Sequence, residues 1–173
     1  MLKERFGHPD FREGQLTAVK LILEQKRNAL VVLATGSGKS LCYQFVTQFL
    51  PGLVLVVTPL ISLMTDQLQK LPDFIPGAAL NSQQSFGTKQ AVIKAVQEHK
   101  IKVLFITPER LFMEDLSKFG RKISMVCVDE IHCASEWSHN FRPAYLVLHE
   151  MIKEKLGDET RVIGLTATAT RAA

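Results

Sequence analysis

Two short stretches hold residues equipped to handle a phosphorylated ligand. In "LATGSGKS", residues 33–40, Gly36 and Gly38 permit a turn in which successive backbone N–H groups face an anion. Thr35 and Ser37 complete that cradle, and a helix beginning there adds the partial positive charge of its amino end. Lys39 is spaced to reach the β- and γ-phosphates, and the Ser40 hydroxyl to bind Mg²⁺. The strict pattern GxxxxGK[ST] has Gly where this chain has Leu33. The second stretch, "MVCVDE", is an apolar run ending in Asp129 and Glu130. A carboxylate at a strand end beside such a loop holds Mg²⁺ through water. A second carboxylate beside it orients and deprotonates an attacking water. A phosphate loop alone serves kinases, GTPases, ATPases and pure binding modules; the ordered pair of loop and strand-ending Asp-Glu points to nucleotide hydrolysis.

Positioning these groups requires strands that end together. Five short apolar runs recur: "NALVVLA" (28–34), "LVLVVT" (53–58), "KVLFIT" (102–107), "SMVCVD" (124–129) and "RVIGLT" (161–166). Apolar residues are continuous in them and do not alternate, the pattern of strands buried on both faces. Stretches with helical spacing lie between. "REGQLTAVKLILEQK" places Leu16, Val19, Ile22 and Leu23 on one face. "SLMTDQLQKL" places Leu63, Gln67 and Lys70 on one side and Leu68 and Leu71 on another. "FGTKQAVIKAVQEH" and "AYLVLHEMIKEKL" follow the same spacing. Strands alternating with helices predict an α/β fold: a mainly parallel central sheet flanked by helices, with its site at the carboxyl ends of the strands. "GAALNSQQSFGTK" is the most polar connection and is expected to be a surface loop.

Composition agrees with a globular domain. The 173 residues are 46% hydrophobic and 22% charged, enough for one sizeable core. No apolar run approaches a membrane span, and the start lacks the apolar stretch of a secretion signal, so an intracellular protein with no membrane partner is expected. Three cysteines cannot all pair with one another, which fits reduced thiols. The net charge of +4 is compatible with a polyanionic partner but too small to argue for one. "GLTATATRAA" leaves a strand and ends without further structure, as at a domain boundary in a longer protein.

"ATGSGKS", "VVTPLISLMTDQ", "TPER", "VDEIH" and "LTATAT" occur in an order and spacing that resemble superfamily 2 helicases. "LKERFGHPDFREGQ" (2–15) and "HCASEWSHNFRPAY" (132–145) narrow the resemblance to the RecQ DNA helicases, and "WSHNFRP" resembles the Rothmund–Thomson branch. The resemblance covers essentially the whole chain. It implies that residues 1–173 form the first of two RecA-like, P-loop NTPase lobes of an ATP-dependent 3′→5′ DNA helicase, nuclear in a eukaryote and cytoplasmic otherwise, acting in DNA repair and recombination. The implied cofactors are ATP and Mg²⁺, and the implied partners are single-stranded and duplex DNA and the second lobe. It also implies residue roles. Gln15 reads the adenine edge, Arg12 lies against the ring, and His8 stands where many relatives have an aromatic residue. Asp129 is the Mg²⁺-side carboxylate and Glu130 activates water. His132 contacts the γ-phosphate side, and Thr166 and Thr168 couple hydrolysis to lobe movement.

"TPLISLMTDQ" and "TPERL" begin just after strands, where small polar groups and amides can grip a sugar-phosphate chain without reading sequence. The resemblance makes Thr58, Pro59, Ser62 and Thr107 such contacts. Trp137, Phe141 and Arg142 are spaced to meet bases, and base–aromatic stacking is worth roughly 1–3 kcal/mol per base. By resemblance this loop, with His139, senses DNA. A zinc site from Cys127, His132, Cys133 and His139 is the weaker reading: Cys127 lies inside the strand, and compact C-x₂₋₄-C spacing is missing. An RNA substrate, a nucleotide-dependent clamp without unwinding, and a P-loop kinase or GTPase stay open as alternatives. Sugar-phosphate contacts do not by themselves separate RNA from DNA.

Overall fold

The computed structural model describes residues 6–7, 10, 15–24, 29–32, 40–58, 60–129, 148–156 and 160–166, with backbone alone at 29–32, 148–149 and 165–166. The strands are β1 (Ala29–Val32), β2 (Leu53–Val57), β3 (Gly77–Leu80), β4 (Val103–Ile106), β5 (Ile123–Asp129) and β6 (Arg161–Thr166). The helices are α1 (Gln15–Leu23), α2 (Ser40–Thr47), α3 (Ile61–Gln69), α4 (Phe86–Gln97), α5 (Pro108–Met113) and α6 (Leu148–Leu156), with a 3₁₀ turn at Leu116–Phe119. Among the described residues the strands form one sheet in the order β1-β6-β5-β2-β4-β3, and every pairing is parallel. The expected α/β class with a parallel sheet and flanking helices is the class observed.

The apolar runs are continuous because both faces of the sheet are covered. Val54, Val56, Val103, Phe105 and Cys127 pack on one face against α1, α2 and Met64 of α3. Leu55, Val57, Leu104, Ile106 and Val126 pack on the other against Ile93 and Val96 of α4, Leu111 of α5 and Met151 and Ile152 of α6. Side chains alternate between faces along each strand, so a run with two covered faces carries no polar alternation. Burying one such Val or Leu contributes about 1.5–3 kcal/mol.

Pairing of β2 with β5 shifts between Leu53↔Ile123 and Val54↔Met125, leaving Ser124 as an extra residue. Its hydroxyl accepts a hydrogen bond from the Gly52 backbone N–H at 2.8 Å. A side chain at Gly52 would place its Cβ 2.4 Å from the Lys122 carbonyl oxygen, so this close approach demands glycine.

Two expectations are corrected. The polar connection beginning at Gly77 is no mere loop: Gly77–Leu80 pairs with Val103–Ile106 as edge strand β3. Its Gly-Ala-Ala start has none of the β-branched or aromatic residues that mark strands. The glycine is there because a Cβ would lie 2.4 Å from Leu71 Cδ1. In α1, Leu16 is 42% exposed, whereas Ala18, Val19 and Ile22 are buried. The buried stripe is rotated away from Leu16 and takes in Gln15, which is 1% exposed.

Candidate functional site

All strands being parallel, their carboxyl ends share one edge of the sheet, where open α/β sheets bind ligands. Thr58 follows β2, Thr107 follows β4, Asp129 ends β5 and Thr166 ends β6. Ser40, half-buried, begins α2. The strand order β5-β2-β4 makes Asp129, Thr58 and Thr107 the ends of three neighbouring strands.

Asp129 is 1% exposed. A carboxylate so buried needs hydrogen-bond donors, and Gln67 of α3 supplies one, donating from Nε2 to Asp129 Oδ2. The Tyr43 hydroxyl, from α2, donates to Gln67 Oε1 at 3.1 Å. Tyr43 is fully buried, with its ring edge-on to Phe105 at a centroid distance of 6.4 Å. Burial pushes the Tyr43 hydroxyl pKa well up, and the charges of Cys127 and Asp129 push it further, so Tyr43 stays protonated. Cys42, also buried, has its thiol pushed up to about 12 by burial and is inert at ordinary pH.

Thr58 is fully buried. Its N–H donates to the Ile106 carbonyl at 3.0 Å, and its hydroxyl has no hydrogen-bond partner among the described residues. Thr107, 4% exposed, caps α5: its hydroxyl accepts from the Arg110 N–H at 3.4 Å, and Pro108 occupies the first turn, where a missing N–H costs nothing. Ser62 is exposed on the first turn of α3. Of these three expected nucleic-acid contacts, only Ser62 presents its side chain to solvent. Gln15, expected to read an adenine edge, stands buried at the start of α1. Outside the described residues lie His8, Arg12, Thr35, Gly36, Ser37, Gly38, Lys39, Pro59, Glu130, His132, Trp137, His139, Phe141, Arg142 and Thr168, as does the Thr166 side chain.

The donor set suits Mg²⁺: a buried carboxylate and a hydroxyl at a helix start are hard oxygen ligands of the kind that hold this ion together with substrate phosphates. Among the described residues, no three His, Cys, Asp or Glu gather as a metal cluster. Cys127 is fully buried within β5, as a small apolar side chain would be. Sequence reasoning missed Gln67 and Tyr43. Helical spacing set Gln67 apart from the apolar face of α3, but nothing in the spacing named Asp129 as its partner.

The model of the DEAD/DEAH box helicase family matches residues 12–173. ATP-dependent DNA helicase Q-like 5 of Arabidopsis thaliana is 48% identical over 95% of this chain and 18% of its own length. ATP-dependent DNA helicase Q4 of Mus musculus is 42% identical over 97% of this chain and 15% of its own. ATP-dependent DNA helicase RecQ of Bacillus subtilis is 38% identical over 98% of this chain and 29% of its own. The chain thus spans less than a third of each of these relatives. The Pyrococcus furiosus Hef helicase domain superposes with a TM-score of 0.68 at 24% identity, covering 95% of this chain and 34% of that one. A hypothetical ATP-dependent RNA helicase from Sulfolobus tokodaii superposes with a TM-score of 0.71 at 24% identity, covering 94% of this chain and 48% of that one. These two likenesses show the fold. Among the described residues no helix is long and apolar enough to cross a membrane.

Proposed function

This chain belongs to the DEAD/DEAH box helicase family, and on that premise we propose that it is the ATP-binding, RecA-like lobe of a RecQ-type ATP-dependent 3′→5′ DNA helicase. The observation that carries the reading is the shared edge of the parallel sheet. It sets the strand-ending Asp129 beside the Thr58 and Thr107 strand ends, in a chain 38–48% identical to three named DNA helicases.

In this reading the loop 33–39 and Lys39 bind the ATP phosphates, and Ser40 and Asp129 hold Mg²⁺. Mg²⁺, when bound, neutralises charge on the phosphate oxygens. Glu130 orients the attacking water and takes its proton. His132 faces the γ-phosphate, while His8, Arg12 and Gln15 hold the base. The buried hydroxyls of Thr58 and Thr107 shape the strand-end turns, so that backbone amides and Ser62 grip the sugar-phosphate chain. Trp137, Phe141 and Arg142 meet bases, and Thr166 and Thr168 pass the hydrolysis state to a second lobe elsewhere in the full-length protein. That lobe supplies an arginine finger, worth about 10³–10⁵ in rate, so residues 1–173 alone hydrolyse little ATP. In a eukaryotic cell the protein acts in the nucleus, in DNA repair and recombination.

The test is ATP hydrolysis by the full-length protein with single-stranded DNA, with RNA and with neither, beside strand separation on a tailed duplex. Stimulation by DNA, with unwinding, is expected, and Lys39→Ala abolishes both. Stimulation by RNA alone would make it an RNA helicase. Nucleic-acid binding that depends on ATP without turnover would make it a clamp.

A further inference from the structure

Gln67 links three elements that meet at the site. Its amide donates to Asp129 at the end of β5 and accepts from Tyr43 on α2, while its backbone belongs to α3, whose first turn exposes Ser62. The direction of both hydrogen bonds follows from chemistry. An ionised carboxylate only accepts, so the Gln67 NH₂ must face Asp129 and the carbonyl must face Tyr43. Tyr43 is then a donor. Its ring is buried against Phe105, which fixes where the hydroxyl stands. A half-buried glutamine has three side-chain torsions to restrain; Tyr43 supplies that restraint and Asp129 receives the result.

We propose that Gln67 is a positioning residue, held by Tyr43, which fixes the Asp129 carboxylate in its metal-binding orientation and ties that orientation to the nucleic-acid side of α3. The proposal rests on the reading of Asp129 as the Mg²⁺-side carboxylate. Residues that hydrogen-bond a metal ligand set its rotamer, and losing one typically weakens metal binding about 10–100-fold. The link to nucleic acid is mechanical. Ser62 and Gln67 lie five residues apart on one helix, about 7.5 Å along its axis at the standard rise. Met64 between them is fully buried in the core shared with Val54, Val56 and Phe105. Ser62 and Gln67 share one continuous nine-residue helix, so a tilt of that helix about its Met64 anchor, driven from its exposed first turn, reaches the Gln67 amide. The Asp129 carboxylate therefore senses what α3 touches.

The experiment measures Mn²⁺ affinity by electron paramagnetic resonance in the full-length protein. The protein is complexed with a non-hydrolysable ATP analogue, with and without a poly-dT oligonucleotide. Gln67→Met keeps the length and loses the amide; Tyr43→Phe removes one oxygen. In the wild type the oligonucleotide is expected to change Mn²⁺ affinity severalfold, and no change there would overturn the tie to nucleic acid; Gln67→Met is expected to weaken Mn²⁺ about 10–100-fold and to abolish that change. Tyr43→Phe is expected to weaken Mn²⁺ severalfold, and it carries the test should Gln67→Met fail to fold. The double variant should match Gln67→Met alone, because Tyr43 acts through Gln67. Wild-type Mn²⁺ affinity in Gln67→Met, or losses that multiply in the double variant, would overturn the proposal. Asp129→Asn separates the two levels. If it weakens Mn²⁺ while Gln67→Met does not, the positioning role alone is wrong. If Asp129→Asn leaves Mn²⁺ affinity intact, the assignment of Asp129 falls and the positioning role with it.

Discussion

Glu114 sits at the end of α5 with its side chain 1% exposed, and Arg110 Nε lies 2.8 Å from its Oε2. Lys118 Nζ is 4.0 Å from Oε1 and belongs to a side chain 56% exposed. Neither Arg110 Nε nor the Glu114 oxygens find an aligned hydrogen-bond partner among the described residues. The pair is therefore held by charge rather than by directed hydrogen bonds. At an effective dielectric of 20 the gross attraction across 2.8 Å is about 6 kcal/mol, and the desolvation of both ions offsets most of it. Arg110→Met removes the attraction and leaves the carboxylate buried. Breaking a buried pair from one side costs about 3–5 kcal/mol. The low end, about 3 kcal/mol, applies here because Lys118 can close on the carboxylate. For a chain of this size that is a fall of about 6–12 °C in Tm. Arg110→Met/Glu114→Leu removes both charges, and replacing a buried pair by apolar residues is neutral or stabilising. Urea unfolding of the wild type and the two variants should show the double variant recovering what the single one loses. A single variant within about 1 kcal/mol of wild type, or a double variant as unstable as the single, would refute this account of α5.

Three further outcomes are expected. In the full-length protein, Glu130→Gln should retain ATP and DNA binding while hydrolysis falls about 10²–10⁴-fold, the usual worth of a positioned base; single-turnover kinetics would show wild-type rates if Glu130 has no such role. Trp137→Ala should keep nucleotide binding and lose stimulation by single-stranded DNA, with a stacking loss of about 1–3 kcal/mol; fluorescence-anisotropy titration checks the affinity and a coupled assay the stimulation. The third concerns pH. Burial pushes the Cys42 thiol from an ordinary value of 9.0 up to about 12 in the fold. Above pH 9 the unfolded chain releases a proton that the folded one keeps, so stability falls with rising pH. Between pH 9 and 10 the wild type should lose about 1 kcal/mol more than Cys42→Ala, measured as the change in urea midpoint. Above pH 10, Tyr43, shifted the same way, steepens the fall in both proteins.

The central strands were legible because burial on both faces leaves a composition signal. Residues 53–57 and 103–106 are fully buried, and only apolar side chains tolerate that in an unbroken row. β3 left no such signal. It pairs with β4 alone among the described residues, is half-exposed over most of its length, and holds a glycine for clearance from Leu71 rather than for flexibility. α1 shows the limit of helical spacing. The period is right, but whether Leu16 or Gln15 turns inward depends on what lies opposite, and α2 lies opposite only in three dimensions.

The site divides in the same way. Asp129 could be read from sequence because a polar residue at the end of a buried strand breaks a simple pattern. Gln67 could not, because its meaning comes from a partner 62 positions away. Thr58 and Thr107 stand between these cases. Their places after strands were legible, but the burial of their hydroxyls follows from the crowding of parallel strand ends. That crowding also bears on function. Neighbouring strands lie about 4.8 Å apart, and β2 has β5 on one side and β4 on the other. Thr58 is therefore about one strand spacing from Asp129 and one from Thr107. Under the proposed function, a grip on nucleic acid at these strand ends cannot be built far from the carboxylate proposed to serve ATP. On that proposal their coupling begins as a consequence of sheet order, and Gln67 would give it a direction.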